Sequence, residues 1–180
     1  MGLYCPRNKK YRIMKKNNLI SNLLYGSYTL NVDQSGRFVL PSEYRNVLGD
    51  SCYILKGVGC LWLMPADYFN NIMAELNGKT KNSLFSMFNN KMATVKRHMF
   101  SGMSQCSPEA DKNFRITLTG EQKKYAAITN SIKMFGVGDY VEIWSPANWE
   151  LNRADSDNEI LDFAGEVFAP EPTEKEDDIS

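Results

Sequence analysis

"DQSGRFVLPSEYRNVLG", residues 33–49, and "DKNFRITLTGEQKKYAA", residues 111–127, follow one pattern: an aspartate, an arginine four places on, alternating apolar residues and a charged helical stretch. Shifting the first stretch by 78 positions puts Asp33 on Asp111, Arg37 on Arg115, Leu40 on Leu118, Glu43 on Glu121 and Arg45 on Lys123. Further on, "GVG" at 57–59 recurs at 136–138, a shift of 79, and "LWLMP" at 61–65 faces "VEIWS" at 141–145, a shift of 80. Two single-residue insertions reconcile the three shifts, so one unit occurs twice. A unit of about 45 residues with four short strands and one helix has too little interior to bury its own apolar faces. The two copies must therefore pack on each other.

Within the first copy Leu30, Val32, Phe38 and Leu40 alternate with polar or small neighbours around "DQSG", which predicts two half-buried strands joined by a tight reversal. Gly36 can take a positive φ there without steric cost. Pro41 and Ser42 open a short helix, "SEYRNVL", that Gly49 can end, and "CYIL" and "CLWLM" follow as strands around "KGVG". "PADYFNNIMAEL" spaces Phe69, Ile72, Met73 and Leu76 helically, and "SLFSMFNNKMATVKRHMF" does the same with Leu84, Phe85, Phe88, Met92, Val95 and Met99. The second copy repeats the order with "RITLT", "GEQKKYAA", "SIKMF", the reversal "GVGD", "YVEIW" and a closing helix "SPANWELN".

Formal charge is zero over 180 residues, but its distribution is uneven. Residues 1–24 carry Arg7, Lys9, Lys10, Arg12, Lys15 and Lys16 and no acid; residues 153–180 carry two basic against ten acidic side chains. A basic arm and an acidic tail of this kind are most simply solvated termini, although clustered Lys and Arg add salt-dependent affinity beside nucleic acid. Cys5, Cys52, Cys60 and Cys106 lack CxxC spacing and His98 is the only histidine, a pattern that supplies no zinc site and suits reduced structural thiols. No apolar run is long enough for a membrane span, and Ser21 and Asn22 interrupt any signal-like stretch. Nucleophile-elbow and phosphate-loop spacings are absent, and "GVG" reads twice as a hairpin turn, so the sequence points away from an enzyme.

The duplicated Asp-x-x-x-Arg is the informative motif. Across a tight turn the acid can bond to turn amides or hold the guanidinium, fixing the direction of a long side chain. An isolated pair of this type would merely close its own hairpin. Paired copies instead bring Arg37 and Arg115 to one face about a pseudo-twofold axis, backed by Arg45 and by Lys123 and Lys124. Arginine forks bind phosphates and guanine edges bidentately, which suits duplex DNA. Ser35 and Lys112, inside the two turns, complete the candidate DNA-binding set, with Asp33 and Asp111 as orienting acids.

Five stretches, "YGSYTLNVDQSGRFVLPSEYRNVLG", "GVGCLWLMPADYF", "VKRHMFSG", "DKNFRITLTGEQKKYA" and "GVGDYVEIWSPANWE", resemble in order and spacing the MraZ family of transcriptional regulators, over about residues 25–152. The resemblance implies an α+β, mainly β fold of the AbrB-like type, in which two swapped-hairpin half-units form one pseudo-twofold, barrel-like core with packing helices. It implies a ring-shaped homo-oligomer that binds direct repeats in the promoter of the division and cell-wall gene cluster, usually as a repressor. Arg37 and Arg115 become the DNA contacts; no cofactor, membrane or small-molecule substrate is implied, and the location is the cytoplasm and nucleoid. The organisation is then a basic extension (1–24), a first repeat plus helix (25–76), a linker helix (77–102), a second repeat plus closing helix (103–152) and an acidic tail (153–180). Residues 1–24 are either a DNA-binding arm or sequence preceding a start at Met14.

Two departures from the family pattern carry expectations. Phe114 stands where the family usually has glycine; a side chain there resists a positive φ, so the second turn is expected to take another shape. Thr119 and Gly120 replace the proline at the helix entry, which makes the second motif the weaker one. Rival readings are an oligomeric protein-interaction module that has lost specific DNA binding and an AbrB-like antitoxin acting through its tail.

Overall fold

The computed structural model describes residues 23–78, 90–108 and 111–153. The basic arm, most of the acidic tail and the first part of the second helical stretch, with Leu84, Phe85 and Phe88, lie outside the described residues. The first copy contains β1 (Ser27–Asn31), β2 (Arg37–Val39), α1 (Ser42–Leu48), β3 (Cys52–Lys56) and β4 (Leu61–Pro65). Two helices follow, α2 (Ala66–Gly78) and α3 (Asn90–Phe100). The second copy contains β5 (Ser104–Cys106), β6 (Arg115–Thr117), α4 (Gly120–Tyr125), β7 (Ser131–Gly136) and β8 (Val141–Trp144), and residues 146–153 form α5.

The strands interleave. One antiparallel sheet runs β1-β7-β8-β4-β3-β5, and β2 pairs with β6 in a separate two-stranded ribbon. Substituting each strand by its repeat equivalent turns the six-strand order into its own reverse, so a pseudo-twofold axis passes between β8 and β4. The registers mark it. Phe38 pairs with Ile116 at the middle of the ribbon, and Trp62 pairs with Glu142 at the middle of the sheet; these are the equivalents under the shifts of 78 and 80. Each copy thus donates strands to the other, which is how two units too small to close a core alone share one.

That core holds Leu24, Val32, Phe38, Leu40, Tyr44 and Leu48 from the first copy and Ile116, Leu118, Ala126, Ile128, Ile132 and Ile143 from the second, all 6% exposed or less. Equivalent clasps close the two halves. The Tyr44 hydroxyl donates to the Gly26 carbonyl at 2.8 Å, and Gln122, buried at the matching position of α4, donates from Nε2 to the Gly102 carbonyl at 2.9 Å. Gly26 and Gly102 both have positive φ, 86° and 80°, and each opens the approach to the first strand of its copy. Burial pushes the Tyr44 hydroxyl up to about 12.

The helices break the symmetry. α2 and α3 cover the outer side of β3 and β4 through a second cluster of Leu55, Met64 and Phe69, with Ile72, Met73 and Phe100 against it. On the opposite half Trp149 of α5 stacks on Phe135 at 3.9 Å between centroids. His98, in the last turn of α3, lies 3.1 Å from both the Gly57 carbonyl and the Tyr125 hydroxyl and pins the helix to the β3–β4 turn. Both "GVG" segments are hairpin turns, closed by Gly57 N–H to the Cys60 carbonyl and by Val137 N–H to the Tyr140 carbonyl. Among the described residues no helix is long and apolar enough to cross a membrane, and no cluster of acids, histidines and cysteines could hold a metal ion.

Candidate nucleic-acid interface

Phe38 and Ile116 point into the core from the ribbon, so the strand alternation sends their neighbours outward. Arg37 and Val39 of β2 and Arg115 and Thr117 of β6 are all exposed on that outer face. Arg37 stands opposite Thr117, and Arg115 opposite Val39. The two arginines are therefore diagonal neighbours, with backbones roughly 7–8 Å apart. A shallow cleft of about 270 Å³ runs between them, lined also by Asn31, Asp33 and Val39.

The first turn is tightly built. Asp33 Oδ1 accepts from the backbone N–H groups of Ser35 and Arg37, both at 2.9 Å, and Oδ2 accepts from Arg37 Nε at 2.8 Å. These bonds, led by the Arg37 amide and followed by the guanidinium, hold the Asp33 carboxyl below the usual carboxylate range. A lowered carboxyl contributes its contacts throughout the pH range above its ordinary value of 3.8 and loses them only as pH falls through its lowered one. The Arg37 guanidinium, 43% exposed, is thus aimed from the surface by a partner that stays charged.

The second turn keeps the shape but not the clamp. Phe114 has φ 52° where Gly36 has φ 80°, and one backbone bond closes both turns: Gly36 N–H to the Asp33 carbonyl and Phe114 N–H to the Asp111 carbonyl. The expected change of turn shape is corrected by this geometry. The reason lies in the first copy, whose Arg45 places its guanidinium 4.2 Å from the centre of the Phe114 ring, a stacked contact that compensates the left-handed backbone. Arg45 also donates from Nε and Nη2 to the Leu40 carbonyl, at 3.0 and 2.9 Å. Its equivalent Lys123 lays its stem over Gly36, where an added Cβ would come within 3.6 Å of Lys123 Cδ. The Asp111 carboxylate accepts the Asn113 amide at 2.8 Å, and among the described residues no ion pair joins it to Arg115.

Other candidates are placed around this face. Ser35 and Lys112 are exposed in the two turns, Lys123 is partly exposed and Lys124 exposed on α4. Arg45 is half-buried between the copies, where its Nε and Nη2 serve the Leu40 carbonyl and its guanidinium lies over the Phe114 ring. Sequence reasoning missed two members of the scaffold. Gln122, fully buried, forms a capping box with Thr119 and also donates to Ser104 Oγ at 2.9 Å. The Thr-x-x-Gln spacing was the signal for it, and Thr119 starts the helix through this reciprocal cap. The other is β5, whose Ser104, Gln105 and Cys106 pair with Ile54, Tyr53 and Cys52 of β3.

The fold and face define an internally duplicated α+β protein whose interleaved copies present paired Asp-x-x-x-Arg turns on one surface. A family model described as "MraZ protein, putative antitoxin-like" matches residues 23–90. The protein named transcriptional regulator MraZ of Desulforamulus reducens is 31% identical over 146 residues, 81% of this chain and 97% of that relative. Its namesake in Finegoldia magna is 30% identical over 143 residues, 79% and 94% of the two chains. That of Lachnoclostridium phytofermentans is 29% identical over 145 residues, 80% and 96%. This chain belongs to the MraZ family. Its relatives carry the names of regulators, not of enzymes.

Proposed function

We propose that this protein is a DNA-binding transcriptional regulator that grips duplex DNA with the outer face of the β2–β6 ribbon. The observation that carries the reading is the shared orientation of Arg37 and Arg115 across a ribbon to which each copy contributes one strand. A two-stranded ribbon fits the major groove of B-DNA, and guanidinium forks match guanine O6 and N7 or phosphate oxygens. Lys112, Lys123 and Lys124 around the turns add positive charge for the backbone. The names of the relatives support a role in transcription.

The finer reading follows the family resemblance: a cytoplasmic, nucleoid-associated ring of several chains that represses the division and cell-wall gene cluster by binding direct repeats in its promoter. The exchange of strands between the copies supports the AbrB-like swapped-hairpin assignment. A ring that meets several repeats at once makes weak single contacts sufficient, because linked sites raise the effective concentration of the next.

Binding of the DNA upstream of this gene, followed by fluorescence anisotropy against salt concentration, tests the reading. Several released counterions per complex and a clear preference over an unrelated duplex of equal length are expected. Equal affinity for both duplexes would reject sequence-specific regulation.

A further inference from the structure

One apolar side chain interrupts the charged face of the ribbon. Val39 is 47% exposed, stands directly opposite Arg115 and shares the cleft with Arg37. Strand propensity explains a β-branched residue at this place but not an apolar one, since Thr117, its equivalent in the second copy, is β-branched and carries a hydroxyl. A valine between two guanidinium groups meets water on the unoccupied face and gains only when something apolar covers it.

In a major groove the apolar feature within reach is the 5-methyl group of thymine. Residues 37 and 39 are two apart on one strand, so their side chains emerge roughly 6.6 Å from each other, on the order of two base-pair steps. We infer that Val39 contacts a thymine methyl close to the base read by Arg37, with the Thr117 methyl as the weaker counterpart beside Arg115. This inference rests on the DNA-binding reading above and adds to it a sequence element: a thymine within about two base pairs of each arginine contact.

The upstream DNA can be amplified with dTTP or with dUTP, giving duplexes that differ only in thymine methyls, without the operator being known. The full chain is expected to bind the thymine duplex about fourfold more tightly for each ribbon engaged, the value of one buried methyl-sized group. Val39→Ser should abolish most of that preference while still favouring upstream over unrelated DNA. Equal binding of both duplexes by the unaltered chain, or an undiminished preference in Val39→Ser, would overturn the assignment of Val39 while leaving DNA recognition standing. Failure to distinguish upstream from unrelated DNA would overturn the regulator reading itself, and this inference with it.

Discussion

The two Asp-x-x-x-Arg turns share a closing backbone bond and a positive φ and differ in how their arginines are held. In the first, Gly36 makes the positive φ easy and Asp33 clamps Arg37; in the second, Phe114 also takes a positive φ under the Arg45 guanidinium, and among the described residues no carboxylate pairs with Arg115. Turn shape is thus set by the shared closing bonds to Asp33 and Asp111, whereas side-chain direction is set separately by the acid. A preorganised arginine loses less rotamer freedom on binding than an untethered one. The first copy should accordingly supply most of the sequence preference and the second mainly affinity.

The largest effect is expected from Arg37→Ala, which should cost about 3 kcal/mol of affinity for the upstream DNA, the upper end for a lost bidentate contact, with the sedimentation coefficient unchanged. Gly36→Ala sharpens the comparison of backbones: its φ is 80° and the new Cβ would lie 2.6 Å from the Leu118 carbonyl oxygen, so a loss of about 2 kcal/mol in urea unfolding is expected. If the variant is as stable as the unaltered chain, a side chain at this φ needs no compensating contact like the Arg45 guanidinium over Phe114, and the account of the turns fails. Arg115→Ala should weaken binding by only about 1 kcal/mol, with a flatter salt dependence as its main sign. Asp33→Asn keeps the amide contacts but removes the charge beside Arg37, and about a threefold loss of affinity is expected.

The smallest effect at ordinary pH concerns the two clasps. Tyr44 titrates and Gln122 does not. With its pKa raised from 10 to about 12, Tyr44 keeps its proton in the folded chain longer than in the unfolded one. Its contribution is complete below pH 10 and fades as pH rises toward about 12, so alkaline unfolding should begin in that window and shift in Tyr44→Phe.

Much of this was legible in the residues. The repeat shifts of 78 and 80 relate the residues that meet on the pseudo-twofold axis, Phe38 with Ile116 and Trp62 with Glu142, although the sequence alone did not say that these strands pair. Apolar alternation located β1 through β4 and β6 through β8, and the helical spacing located α2 and the described part of α3. β5 was not legible: Ser104, Gln105 and Cys106 have no branched or aromatic residue, and they become a strand only through pairing with Ile54, Tyr53 and Cys52. Nor was the fit of Phe114, since its support comes from Arg45, 69 positions earlier in the chain. A local rule about φ cannot see a long-range ring contact. The candidate DNA face was legible as a motif, but the unequal tethering of its two arginines was not, because both turns carry the same Asp-x-x-x-Arg spacing.

The central claim is that recognition resides in both arginines of one cross-repeat ribbon. Its most direct test is the ratio of affinities for upstream and unrelated DNA in the double variant Arg37→Ala/Arg115→Ala, measured at one salt concentration on material shown to keep its oligomeric state. The ratio is expected to fall to about one, residual binding being backbone attraction alone. A ratio that stays near that of the unaltered chain would place recognition elsewhere and contradict the account.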